Sequence, residues 1–184
     1  MADFARVALP REWVPLDLGS SVAGVDEVVK AIPQLAPRQR EIELLLSTAV
    51  AATRATGVVL SAVLVEEVEG YPLIATLLVN MRPASEGQPA TIRKIASQLG
   101  GEVVRLRAGR AVKTSRVATF QLLPDTRAFD ALLVEYVIPG PKKRGELITL
   151  TFMTPNVAIS DAFSRLFGAV ANSLLIRPDE PSPN

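Results

Sequence analysis

The charged side chains of greatest chemical interest lie in EVVRLRAGRAVKTSRVATF, residues 102–120. There Arg105, Arg107, Arg110, Lys113 and Arg116 follow Glu102 with no further anion. The composition is strand-like, with Ala108-Gly109 as the reversal of a hairpin. Alternation then sends Arg105 and Arg107 to one strand face, while Arg110, Lys113 and Arg116 follow on the return strand, close enough for a cationic patch. Guanidinium groups held together bind carboxylate or phosphate, so the chemistry implied is anion recognition: a phosphate, a nucleic acid or an acidic protein surface. The plainer account is a sheet edge kept soluble by charge. Nucleic acid is disfavoured because no aromatic residue stands between Glu102 and Arg116 to offer a stacking platform. The loop PGPKKRG, residues 139–145, adds Lys142, Lys143 and Arg144, and either extends the patch or is a solvated turn.

Acid–base chemistry has fewer candidates. Glu66, Glu67 and Glu69 gather at a strand end, and Glu135 interrupts an otherwise apolar strand. An inward Glu135 would need a partner or a raised pKa, but strand alternation can equally turn it to water. Asp125, Asp130 and Asp161 suit turns or caps, and no carboxylates have the spacing of a calcium loop. Gly100-Gly101 closes a helix and does not open one, so it reads as a C-cap and not a phosphate cradle. Walker and dinucleotide patterns are absent. With neither Cys nor His in the chain, thiolate nucleophiles, Ser-His-Asp triads and His-ligated metal centres are excluded. No cofactor and no metal site is expected.

The 184 residues, about half of them apolar, suit one soluble domain, and at this size roughly 70% of the unfolded surface is hidden on folding. We read residues 1–178 as a single α+β domain and 179–184 as a flexible tail. The net charge of +1 gives no bulk attraction for polyanions. Residues 1–90 carry seven cations and eleven anions and residues 91–184 thirteen and eight, a weak hint of a bipolar surface. The N-terminus lacks the pattern of a secretory signal, and the longest apolar runs, 57–65 and 73–79, are too short to span a bilayer. A cytoplasmic protein is expected.

The elements that must position these groups follow from periodicity. Residues 4–9 and 13–18 read as a strand pair or an extended arm broken at Pro10, with Trp13 packed. Helices are expected over 22–32, ending before Pro33, and from Pro37 to Gly57. Val58 onward is a strand, turned at Gly70 into a second strand and so forming a central hairpin. Ile92, Ile95, Ala96 and Leu99 make a narrow helical stripe. After the basic hairpin come strands over 131–138 and 146–153. A helix over 159–174 follows, with Ile159, Ala162, Phe163, Leu166, Phe167, Val170, Ala171 and Leu174 on one face and Asn156 or Ser160 as cap. Hairpin-joined strands without βαβ alternation predict a largely antiparallel sheet covered by helices.

This last succession of strand, loop, strand and helix, residues 117–178, resembles the end of the PsbP/Mog-type fold. In that superfamily the final strand often ends in a Thr/Ser-Pro step and the closing helix is rich in phenylalanine. Thr154-Pro155 and Phe163/Phe167 match. The resemblance implies an α/β/α sandwich with an antiparallel central sheet, and a binding or assembly role without enzymatic activity. Its secreted and Ran-binding members have features this chain lacks, so their particular functions are not carried over. The expected function is a non-enzymatic protein-binding or accessory factor. The competing reading is a small-anion or small-ligand binder using the Arg-rich hairpin, and a homodimer through an edge strand is a third.

Overall fold

The computed structural model describes residues 5–16, 58–83, 91–120, 128–140 and 146–176. The two helices expected between residues 22 and 57, Asp125, the cations Lys142, Lys143 and Arg144, and the tail lie outside the described residues.

Nine strands are described. In chain order they are β1 (Ala5–Arg6), β2 (Trp13–Leu16), β3 (Val58–Val68), β4 (Tyr71–Pro83), β5 (Glu102–Leu106), β6 (Gly109–Phe120), β7 (Phe129–Pro139), β8 (Glu146–Thr154) and β9 (Leu175–Ile176). Helix α1 (Ile92–Leu99) precedes β5. Helix α2 (Ser160–Asn172) follows a 3-10 turn over Val157–Ile159. Seven strands form one antiparallel sheet in the order β2-β3-β4-β8-β7-β6-β5, so the protein is α+β.

Period-two alternation divides the sheet into two faces. On the first, Leu64, Leu77, Val79, Leu132, Val134, Tyr136, Ile148, Leu150 and Phe152 form a core closed by Phe163, Phe167, Val170, Ala171 and Leu174 from the α2 region. Phe152 stacks on Phe167 with centroids 4.7 Å apart, while Trp13 and Tyr136 meet it edge-on at 6.4 and 6.1 Å. On the second face, Ile95 of α1 packs against Val112 and Val137. Thr91 caps α1 by accepting from the Lys94 N–H, and Gly100, at φ 63°, ends it in the left-handed conformation.

One open alternative is resolved and two expectations are corrected. The segment read as a strand pair or an extended arm forms two strands with different partners: β2 joins the edge of the large sheet beside β3, whereas β1 pairs with β9. The cap expected from Asn156 or Ser160 is absent, because Asn156 is spent elsewhere. Its Oδ1 accepts the Ile74 N–H at 3.0 Å, and its own N–H donates to Thr154 Oγ1 at 3.1 Å. The buried Thr154 hydroxyl in turn donates to the Ile74 carbonyl at 2.6 Å, so the Thr-Pro step ties the end of β8 to β4. Ile159 and Ala162 are exposed: Ile159 belongs to the 3-10 turn, and the buried stripe of α2 begins only at Phe163.

The first and last described segments are stitched to each other. Ser173 Oγ accepts the Ala8 N–H at 3.0 Å and donates to the Val170 carbonyl at 2.6 Å, beside the β1–β9 pair. Ser173→Ala is expected to cost about 1 kcal/mol and to speed hydrogen exchange at the Ala8 amide, read by two-dimensional NMR; unchanged exchange there would show that the hydroxyl holds nothing.

Candidate functional site

Hairpin β5–β6 is the outermost unit of the large sheet, with β5 as its terminal strand. The reversal falls at Arg107-Ala108, one residue earlier than expected. Gly109, at φ 131°, is the first residue of the returning strand, where only a glycine backbone is at ease. This turn sets the register: Leu106 faces Gly109, and Arg105 stands directly across from Arg110. Their Cβ atoms are therefore about 5 Å apart. Arg107 sits at the turn itself, and its N–H donates to Asn172 Oδ1 at 2.9 Å, which anchors the loop to the end of α2.

Arg105, Arg107, Arg110 and Arg116 are all exposed, and none of their guanidinium groups has an ion pair or hydrogen bond among the described residues. Arg105 and Arg110 share the face that α1 covers, because Arg110 lies two residues from Val112. Arg116 is on that face too, but it lies six residues further along β6, about 20 Å away, opposite Leu133. Lys113 is placed on the other face, across from Glu102, and its Nζ is 3.2 Å from Glu102 Oε1. An exposed pair of this kind contributes about 0–1 kcal/mol and takes Lys113 out of the free cationic set. The five cations thus resolve into a cluster of three (Arg105, Arg107, Arg110), a distant Arg116 and a neutralised Lys113.

Glu102 has a second effect. Burial pushes the pKa of the Tyr136 phenol above its ordinary value, and the Glu102 charge pushes it further the same way. A phenol that holds its proton more tightly when folded than when unfolded stabilises the fold fully below pH ~10. That contribution is lost as pH rises through the higher folded value. In a Tyr71→Phe variant, where Tyr136 is the one phenol left, absorbance at alkaline pH is therefore expected to titrate above a free tyrosine. Titration at the free value would show that Tyr136 is not shielded.

Among the described residues the carboxylates do not assemble. Glu135 is half-buried on the α1 side of the sheet, between Thr114 and Thr151, and accepts from Thr151 Oγ1 at 3.4 Å. Glu66 is exposed on β3, and Glu69, at φ 53°, shapes the turn into β4 with Gly70. Asp130 lies within β7, not in a turn, and accepts from Thr119 Oγ1 across the ladder at 2.7 Å. Asp161 stands in the first turn of α2, where a negative charge meets the helix dipole. No group of three or more metal-ligating side chains occurs among the described residues, and no described helix is long and apolar enough to cross a membrane.

Residue types alone do not show the tertiary roles of Asn172 or of the Thr154–Asn156 pair. Both act through tertiary contacts between segments more than sixty residues apart, and such polar residues near helix ends read as caps. A scan against protein-family models and searches of curated proteins and of solved structures gave no match.

Proposed function

We propose that this chain is a non-enzymatic, cytoplasmic accessory or assembly factor that docks an acidic surface of a protein partner through hairpin β5–β6, on an α/β/α sandwich of the PsbP/Mog type. The observation that carries this reading is the facing pair Arg105 and Arg110, both exposed and without a counter-ion among the described residues. Like charges directly opposite each other on paired strands destabilise the hairpin. An acidic partner would relieve that repulsion, whereas edge protection needs only one of the two. Helices on both faces of an antiparallel sheet, and a Thr-Pro step followed by the phenylalanines of α2, support the fold proposal.

The test is affinity capture from a lysate of the source cell. Wild type is compared with an Arg105→Glu/Arg107→Glu/Arg110→Glu variant of matching thermal stability. Selective loss of one retained protein is expected. An unchanged catch returns the hairpin to edge protection. Calorimetry with inorganic phosphate and citrate checks the competing small-anion reading, for which binding that the triple variant loses would be the signature.

A further inference from the structure

The unpaired side of β5 is the place where the hairpin's charge and its backbone act together. In a two-residue hairpin the closing pair, here Leu106 and Gly109, exchanges both of its hydrogen bonds across the ladder. Alternation then commits Glu102, Val104 and Leu106 to β6 and turns the N–H and C=O of Val103 and Arg105 outward. The next N–H in that series, of Arg107, is the one that Asn172 Oδ1 meets. Those of Val103 and Arg105 meet nothing among the described residues. The Val103 side chain is 40% exposed, a large apolar group on an edge.

Sheet edges are ordinarily blunted by proline, by bulges, by extreme shortness, by charged side chains or by a covering element. The opposite edge strand, β2, has four residues and contains Pro15. Strand β5 has neither proline nor a register shift over Glu102–Leu106, and among the described residues its defence is charge. That charge is selective. Two copies meeting antiparallel through β5 would bring two Arg105/Arg107/Arg110 clusters together, so self-pairing is opposed, whereas an acidic strand is attracted.

We propose that the outer edge of β5 receives an extended segment of the partner protein as an eighth strand, and that this segment carries an acidic and an apolar residue two positions apart. Main-chain bonds to Val103 and Arg105 supply the attachment. The acidic side chain lies beside Arg105 and within reach of Arg110, and the apolar one lies beside Val103, because side chains two apart share a face. The inference rests on the reading of the hairpin as a docking face and adds the mode of recognition.

Val103→Pro separates the two ideas. It removes an outward N–H, leaves the ladder to β6 intact and keeps every guanidinium group. The probe is a fluorescein-labelled octapeptide of threonines with valine at position three and glutamate at position five. Wild type is expected to bind it at least tenfold more tightly than Val103→Pro does, and to bind a lysine-for-glutamate peptide more weakly by a similar factor. In wild type, saturating peptide should slow hydrogen exchange at the Val103 and Arg105 amides at least tenfold, a readout that does not depend on the proline variant folding. Equal binding by wild type and Val103→Pro, or unslowed exchange at the two amides, overturns strand addition. If the protein captured from lysate is then lost with the triple glutamate variant but kept with Val103→Pro, surface docking stands alone. Sedimentation as a dimer that Val103→Pro dissociates would assign the edge to a second copy and overturn the proposal.

Discussion

Replacing Phe152 with alanine is expected to lower the free energy of unfolding by about 3–5 kcal/mol. Phe152 is fully buried on β8 near the middle of the large sheet. Its ring is the junction of three others: it stacks on Phe167 of α2, meets Trp13 of edge strand β2 and meets Tyr136 of β7. Loss of the ring would thus leave a cavity where the N-terminal strand, the central sheet and the closing helix come together, and none of the three can move in without losing its own contacts. For a chain of this length the cost corresponds to a fall in Tm on the order of 10 °C. Thermal and urea denaturation would measure it. A loss below 1 kcal/mol would mean that the site collapses freely and that the aromatic cluster is not the keystone described.

Gly101→Ala is the second large effect, and its cause is different. Gly100 is held by its left-handed conformation, but Gly101 is held by crowding. A Cβ there would stand 2.7 Å from the Lys113 carbonyl oxygen, 2.6 Å from Val112 Cγ1 and 2.9 Å from Thr114 Cγ2. One of these atoms is backbone in a paired strand, so relief requires the α1–β5 junction to lift off β6. A penalty of roughly 1–3 kcal/mol follows, with faster amide exchange across β5 and α1, where Ile95 depends on that approach to reach Val112 and Val137. Gly100→Ala has open space around its Cβ and suffers only from its φ of 63°, so it should cost less than Gly101→Ala. The reverse ranking would contradict the packing of the junction.

These two glycines show where sequence reading succeeds and where it stops. That Gly100-Gly101 closes a helix is legible, because capping is local and depends on residue type. That the second glycine is needed for a strand passing beneath it is not, because that strand lies more than ten residues on. The same boundary runs through the rest of the fold. Strands β3, β4, β7 and β8 follow directly from apolar runs and alternation, which report burial on one or both faces. The partners of residues 5–16 do not, since a short strand with Pro10 beside it suits either sheet or arm. In the hairpin, charge spacing finds Arg105, Arg107 and Arg110, but the separation of Lys113 and Arg116 depends on register and on a turn one residue earlier than the glycine suggests. Asn172 at the Arg107 N–H had no signal at all, as helix-end asparagines are common and rarely reach across the molecule.

The β1–β9 pair, with Ser173 bonded to Ala8 beside it, makes the backbone nearly a closed ring. Its two halves are 165 residues apart in sequence at that bond, whereas β5–β6, β6–β7 and β3–β4 join neighbours. Closing the ring carries a larger loop entropy than forming the hairpins, so it is expected to follow them. On the native side it is not isolated from the aromatic junction, because Val7, Leu9 and Ile176 beside it pack against the core that contains Phe152. A linker joining Ala5 directly to Ile176, with a cut at Glu69-Gly70, would convert that long-range closure into a local one and leave the order of the sheet unchanged.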